Sequence, residues 1–330
     1  MGVFMFQNHF PVKGRTVLIT GGSKGMGLEV GRQLAEKGAN VVIVARDLSK
    51  LEEGIKYIQE GAVSPETQRF HHVGADLTAP EESVRVIFEV TEWNDGNAPD
   101  VVWCCAGSSH PTLFIDTPVS ILKSSMDSNY FTSLYMAHAI LKAWLRPEHK
   151  AQGQSLVSTR SPPPSRHLIF TASFLSFFTF AGYSSYSPTK AALRSLSDTL
   201  SQEMNMYATA NPQAPSVRLH TIFPASIFTE SYKAENRVKS DITKILEEGD
   251  EGQTTTVVAQ KSIQGLESGQ ELVTTTTLTR LVMCSVLGGS LRGGFLKALM
   301  DCFVAGFMGI VMIFVRGDMD SKARKWGKQY

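Results

Sequence analysis

Cysteine is scarce in this chain: four residues in 330, at 104, 105, 284 and 302, with no Cys-x-x-Cys and no Cys/His ligand spacing. That pattern argues against a zinc site and a disulfide framework, and it fits a reducing compartment. An excess of one charge is missing too. Lys and Arg number 32 against 31 Asp and Glu, so no global field recruits nucleic acid. No apolar run of the secretory type precedes the first strand, because 1–13 is broken by Gln7, Asn8, His9 and Pro11. The active portion is therefore expected in the cytosol. What is present is ordinary for a globular chain with a sizeable core: 42% hydrophobic and 19% charged residues.

Between 16 and 223 short β-branched runs alternate with helical patterns, the mark of βαβ units and a parallel sheet. The runs 16–20 and 41–45 are apolar almost throughout rather than alternating, as strands covered on both faces are. Further strands are expected at 69–74, 101–104, 167–171 and 216–223, and helices at 25–37, 81–92, 126–145 and 185–207. Right-handed crossovers then place helices on both faces. The expected architecture is α/β, a doubly wound parallel sheet of the Rossmann type: a single domain over 1–232 with a carboxyl-terminal apolar extension. The stretch 151–166 reads as a surface loop, and 233–270, polar and Gly-dotted, as a mobile segment over the site. Within 271–330 a strand precedes the apolar stretch 295–315, interrupted only by Lys297 and Asp301, and a basic tail carrying Arg316, Lys322, Arg324, Lys325 and Lys328.

Directly after the first strand comes Thr20-Gly21-Gly22-Ser23-Lys24-Gly25-Met26-Gly27, opening a helix. Such a turn lets the backbone approach a pyrophosphate, and the helix start adds free N–H groups and a positive dipole end. An NAD site carries an acidic residue at the end of the second strand for the ribose 2′-hydroxyl. Here that position reads Ala45-Arg46-Asp47, with Lys24 and Lys50 nearby. Arg46 offers a fork for a 2′-phosphate, which favours NADPH; the alternative is a solvated helix start capped by Asp47. Asp76 and Leu77 follow the third strand and could bracket the adenine, although Asp76 equally suits a helix cap. Ala106 and Gly107 end the fourth strand with room for the cofactor ribose.

In Tyr186-Ser-Pro-Thr-Lys190 the tyrosine and lysine stand at i and i+4, on one face of a helix whose first turn tolerates Pro188. An ammonium beside a phenol is expected to lower the phenol pKa and make it a proton donor to a developing alkoxide. Ser173, at the end of the fifth strand, can hold a substrate carbonyl beside it.

With these residues in view, the chain resembles the short-chain dehydrogenase/reductase superfamily over about 16–229. The resemblance implies that Ser173, Tyr186 and Lys190 act with Asn129 of Asp127-Ser-Asn129-Tyr130, that Lys190 also binds the nicotinamide ribose, and that Asn129 holds a water leading to Lys190. It adds Ile227 to the cofactor contacts, alongside Gly21, Ser23, Lys24, Gly25, Gly27, Tyr186 and Lys190. The sequence departs from the pattern at Cys105-Ala106-Gly107, where the family has Asn-Ala-Gly, and at Pro224-Ala225, where it has Pro-Gly.

Within that superfamily the chain is most similar to the 3-ketodihydrosphingosine reductases. Supporting residues are the glycine loop, Arg46 with Lys50, the Ala234-Glu-Asn-Arg237 run and the apolar end. The resemblance implies NADPH-dependent reduction of a long-chain keto-sphingoid base, a homodimer or homotetramer, no metal and no nucleic acid. It also implies the endoplasmic reticulum membrane with the site facing the cytosol. Two rivals stand beside it: a soluble reductase of a steroid, polyketide or other carbonyl, and a nucleotide-sensing module without chemistry. The apolar end is expected to associate with the membrane as a helix lying in its interface rather than spanning it; the alternative is a helix packed on the core or in a dimer interface.

Overall fold

Two runs apolar on both faces form the middle of the sheet: β1 (Thr16–Thr20) and β2 (Asn40–Ala45). The computed structural model describes residues 7–146, 164–247, 250, 252–284 and six positions near the carboxyl end. The other strands are β3 (Phe70–Gly74), β4 (Val101–Cys104), β5 (Arg166–Thr171), β6 (Val217–Phe223) and a short β7 (Leu272–Thr274). All pair in parallel, in the order β3-β2-β1-β4-β5-β6-β7. The chain thus winds outward from β1 to β3, returns, and winds the other way from β4. The reversal leaves a crevice beyond the carboxyl ends of β1 and β4, where ligands bind in such sheets.

The helices are α1 (Gly25–Ala35), α2 (Leu48–Gln59), α3 (Pro80–Trp93), α4 (Val119–Met126), α5 (Thr132–Leu145) and α6 (Ser187–Ala210). After β6 come α7 (Glu230–Val238), α8 (Asp241–Leu246), α9 (Thr255–Glu267) and, last, α10 (Thr277–Cys284). Because successive strand residues point to opposite faces, the strands feed two cores. Val17, Ile19, Ile43 and Trp103 pack on one side with Leu34 of α1, Ile58 of α2 and Ile263 of α9. Leu18, Val42, Val44 and Val102 pack on the other with Val86 of α3, Ile140 of α5 and Leu193 of α6. Each such fully buried aliphatic side chain stabilises the fold by roughly 1.5–3 kcal/mol, which fixes the strand ends that carry the site.

The segment 233–270, expected to be mobile over the site, holds the three helices α7, α8 and α9. Its later half, α9, buries Val258, Ala259, Ile263 and Leu266 against the core. That stripe is diluted by Thr, Gln, Lys and Ser, which masked its periodicity. The helix expected over 126–145 is split: α4 ends at Met126 and a π-helical turn, Asp127–Phe131, precedes α5. Most of the expected loop at 151–166 lies outside the described residues, as do most of 295–315 and the basic tail. The six described positions there, Leu299, Phe303, Gly306, Ile310, Ile313 and Phe314, are helical and exposed. Among the described residues no helix is long and apolar enough to cross a membrane.

Candidate active site

Every site residue named from the sequence lines one continuous cleft of about 1740 Å³ above the switch point. That exceeds the ~300–1,000 Å³ of a pocket for a single drug-sized ligand, and so admits a dinucleotide together with a second molecule.

At the nucleotide end the turn from β1 to α1 is shaped by backbone. Gly21 has φ +68°, and a Cβ there would stand 2.8 Å from the Ala106 backbone. Only glycine fits, and the loops after β1 and β4 are thereby held together. The start of α1 has no side-chain cap from Lys24 and no acidic residue in its first turn. Its N–H groups face the cleft lined by Ser23, Gly25 and Gly27, a donor set suited to phosphate. Past β2, Asp47 caps α2 through the Lys50 N–H (3.2 Å) and pairs with the Lys50 ammonium at 3.3 Å. Arg46 is exposed and, among the described residues, has no carboxylate within the 4 Å of an ion pair. Asp76 accepts from the Thr78 N–H (3.1 Å) and hydroxyl (2.9 Å) in a local turn and does not cap α3, whose N-cap is Ala79, while Leu77 is buried. Ile227 packs against the core at the other wall of the cleft.

At the centre, Tyr186 begins α6 with Pro188 in the first turn, as its spacing predicts. Ser173, immediately after β5, hydrogen-bonds the Tyr186 phenol and accepts from the Leu175 N–H at 3.2 Å. Lys190, only 4% exposed, donates to the Thr171 carbonyl at 3.0 Å, with its ammonium 5.4 Å from the Tyr186 ring centroid. Asn129 is wholly buried in the π turn, a feature concentrated at functional sites. Its amide donates to the carbonyls of Ser108 (2.8 Å) and Ser125 (2.9 Å), and its carbonyl accepts from the Ser108 N–H (3.1 Å). A Cβ at Gly107 would lie 2.5 Å from Asn129 Oδ1 and 3.3 Å from Lys190 Nζ, so a glycine is what lets these groups converge. Cys105, at the family's asparagine position, accepts a long 3.4 Å bond from Thr171, which itself accepts from the Trp103 indole at 3.1 Å.

The electrostatics depart from the sequence expectation. Burial, and then the Glu235 carboxylate, hold the Tyr186 phenol above its ordinary pKa; only the Ser173 hydrogen bond pulls it down. Burial depresses Lys190 itself to about 8, against a smaller opposing pull from the Cys105 and Cys104 thiols. Tyr186 is therefore held toward the neutral phenol, beside the Ser173 hydroxyl.

Sequence reasoning did not single out a polar cluster beyond β6. Glu247, just after α8, accepts from the Tyr183 hydroxyl and from Lys239, whose side chain is fully buried. The Lys239 ammonium also lies 4.5 Å from the Tyr232 ring centroid. Glu235 of α7 lines the same wall, and burial, with Glu247 adding to it and Lys239 opposing, raises its carboxyl to about 7. The 234–237 run had marked this stretch, but nothing in its spacing shows that Tyr183 and Glu247, 64 residues apart, meet.

Comparison with known proteins extends this picture. A 3-ketodihydrosphingosine reductase of Aspergillus fumigatus is 48% identical over 97% of this chain and 86% of its own length. One of Neurospora crassa is 40% identical over 100% of this chain and 87% of its own. A solved short-chain type dehydrogenase/reductase from Mycobacterium ulcerans shares the fold with a TM-score of 0.64 at 20% identity, covering 80% of this chain and 89% of that one. The family model described as short chain dehydrogenase matches residues 15–239, from β1 past β6 and so through both the phosphate turn and the Ser173–Tyr186–Lys190 centre. The chain belongs to the short-chain dehydrogenase family and is an oxidoreductase that uses a nicotinamide nucleotide.

Proposed function

We propose that this oxidoreductase reduces the C3 ketone of 3-ketosphinganine to sphinganine with NADPH. The observation that carries the reading is the convergence of Ser173, Tyr186, Lys190 and Asn129 in one cleft, in a chain 48% identical to a reductase named for that substrate. When bound, NADPH supplies the hydride. The uncapped start of α1 would take its pyrophosphate, and Arg46, exposed and with no ion-pair partner among the described residues, would take its 2′-phosphate, with Lys24 lining the same cleft. Ser173 holds the ketone oxygen and Tyr186 gives it a proton. Lys190 binds the nicotinamide ribose and, with Asn129 keeping the path open, returns a proton toward Tyr186.

The enzyme acts at the cytosolic face of the endoplasmic reticulum membrane, touching it with the apolar stretch 295–315. Leu299, Phe303, Ile310 and Ile313 recur at helical spacing and are exposed by 58–82%. That stripe suits an interfacial helix, and the basic tail beyond it suits anionic headgroups. Helices α7 and α8 cover the acyl chain at the mouth of the cleft.

The test is product analysis. Purified protein incubated with 3-ketosphinganine should form sphinganine, detected by mass spectrometry, with NADPH and far less with NADH. Absence of sphinganine with either cofactor would overturn the substrate, and equal use of both would overturn the role of Arg46.

A further inference from the structure

The cleft beyond Tyr186 holds two carboxylates in opposite situations. Glu247 is closed: one oxygen takes the Tyr183 hydroxyl and the other takes Lys239. Glu235, three turns of chain away on α7, is open. Among the described residues no lysine, arginine or histidine stands within 4 Å of it, and Lys239, the nearest candidate on its own helix, is spent on Glu247. Glu235 nevertheless lines the cleft and lies close enough to Tyr186 for its charge to act on the phenol. Glu235 is partly buried and feels the Lys239 charge only at a distance, so a cation brought against it offsets the cost of its burial, and does so best where water is excluded.

We propose that Glu235 receives the ammonium group of the substrate and so selects an amino ketone over an uncharged ketone of equal length. The inference rests on the reading of the substrate given above. In a 2-amino-3-ketone the nitrogen is borne by the carbon next to the carbonyl. An ammonium so placed sits on the wall of the cleft nearest the proton donor once Ser173 and Tyr186 hold the carbonyl oxygen. The groups whose charge bears on Glu235 are Tyr186, Tyr183 and Glu247 from other elements and Lys239 from just past the end of its helix. None supplies it with an ion-pair partner.

Glu235 is thus assigned as a specificity-determining residue.

The experiment compares wild type, Glu235→Gln and Glu235→Asp on 3-ketosphinganine and on its 2-deamino analogue. Loss of a charge-assisted contact should raise KM for the amino ketone by about ten- to hundredfold in Glu235→Gln, leave the deamino analogue nearly unchanged, and be largely repaired in Glu235→Asp. Equal losses on both substrates, or no loss on either, overturn the proposal. Binding of sphinganine and its deamino analogue to wild type keeps the question open to refutation if the variants fold poorly. At least tenfold tighter binding of the amine supports the assignment, and equal affinities refute it. Wild type that reduces the deamino ketone but not 3-ketosphinganine would overturn the substrate reading itself.

Discussion

The two ends of the cleft are built from different material. At the nucleotide end the ligand meets backbone: a left-handed Gly21, an uncapped helix start and the small residues Ala106 and Gly107, all anchored on the central strands β1 and β4. At the far end it meets side chains carried by helices that follow β6, among them Tyr232, Glu235 and Asn236. Backbone geometry is generic, and it serves any dinucleotide. Side-chain placement is particular, and it is where an enzyme of a widely used fold acquires a substrate of its own.

The largest test of this division falls at the centre. Tyr186→Phe should lower kcat by ~10²–10⁴, because only the general acid is lost, while NADPH affinity stays near wild type. A variant retaining more than about a tenth of wild-type kcat would remove Tyr186 from the chemistry. A smaller effect probes the nucleotide end, where one side chain rather than backbone is assigned the discrimination. Arg46→Ala should weaken NADPH binding by roughly ten- to hundredfold and NADH binding little, as measured by fluorescence titration. Equal losses for the two cofactors would show that Arg46 does not read the 2′-phosphate.

A third buried polar group sharpens the contrast between closed and open clusters. His167 and His220, 1% and 0% exposed, join Nδ1 to Nε2 at 3.0 Å, and His220 Nδ1 donates to the Gln270 carbonyl at 2.8 Å. Since a carbonyl only accepts, His220 carries its proton on Nδ1 and the His167 Nδ1–H donates to it. Burial, above all, depresses His220 to about 4 and His167 to about 2. Unfolded histidines take up protons below about pH 6.5, so the unfolded state binds more protons and stability falls as pH drops from there toward the folded values. Between pH 6.5 and 5 each contributes a loss of roughly 1.5 kcal/mol. Denaturant unfolding of His220→Gln should therefore show a shallower fall over that range than wild type. Parallel curves would mean that the pair is not held neutral.

What the sequence made legible follows the same division. The parallel sheet and the phosphate turn were readable because each depends on local order: β-branched runs, then glycines at fixed offsets opening a helix. Tyr186 and Lys190 were readable because i and i+4 share a helical face. The sign of the tyrosine's perturbation was not, since it depends on burial and on Glu235, 49 positions later in the chain. The π turn at Asn129 was hidden inside a helical pattern whose periodicity it barely disturbs. Helix α9 was hidden by polar residues flanking a narrow apolar stripe, although its position against α1 makes it core.

The most direct measurement is the ratio of kcat/KM, with NADPH, for 3-ketosphinganine against a short-chain ketone lacking both amine and acyl chain. The account predicts a strong preference for 3-ketosphinganine, because the far end of the cleft sets Glu235 against the one group and the walls of α7 and α8 against the other. Comparable kcat/KM for the two ketones would contradict it, and would leave a general carbonyl reductase whose far end reads nothing of its substrate.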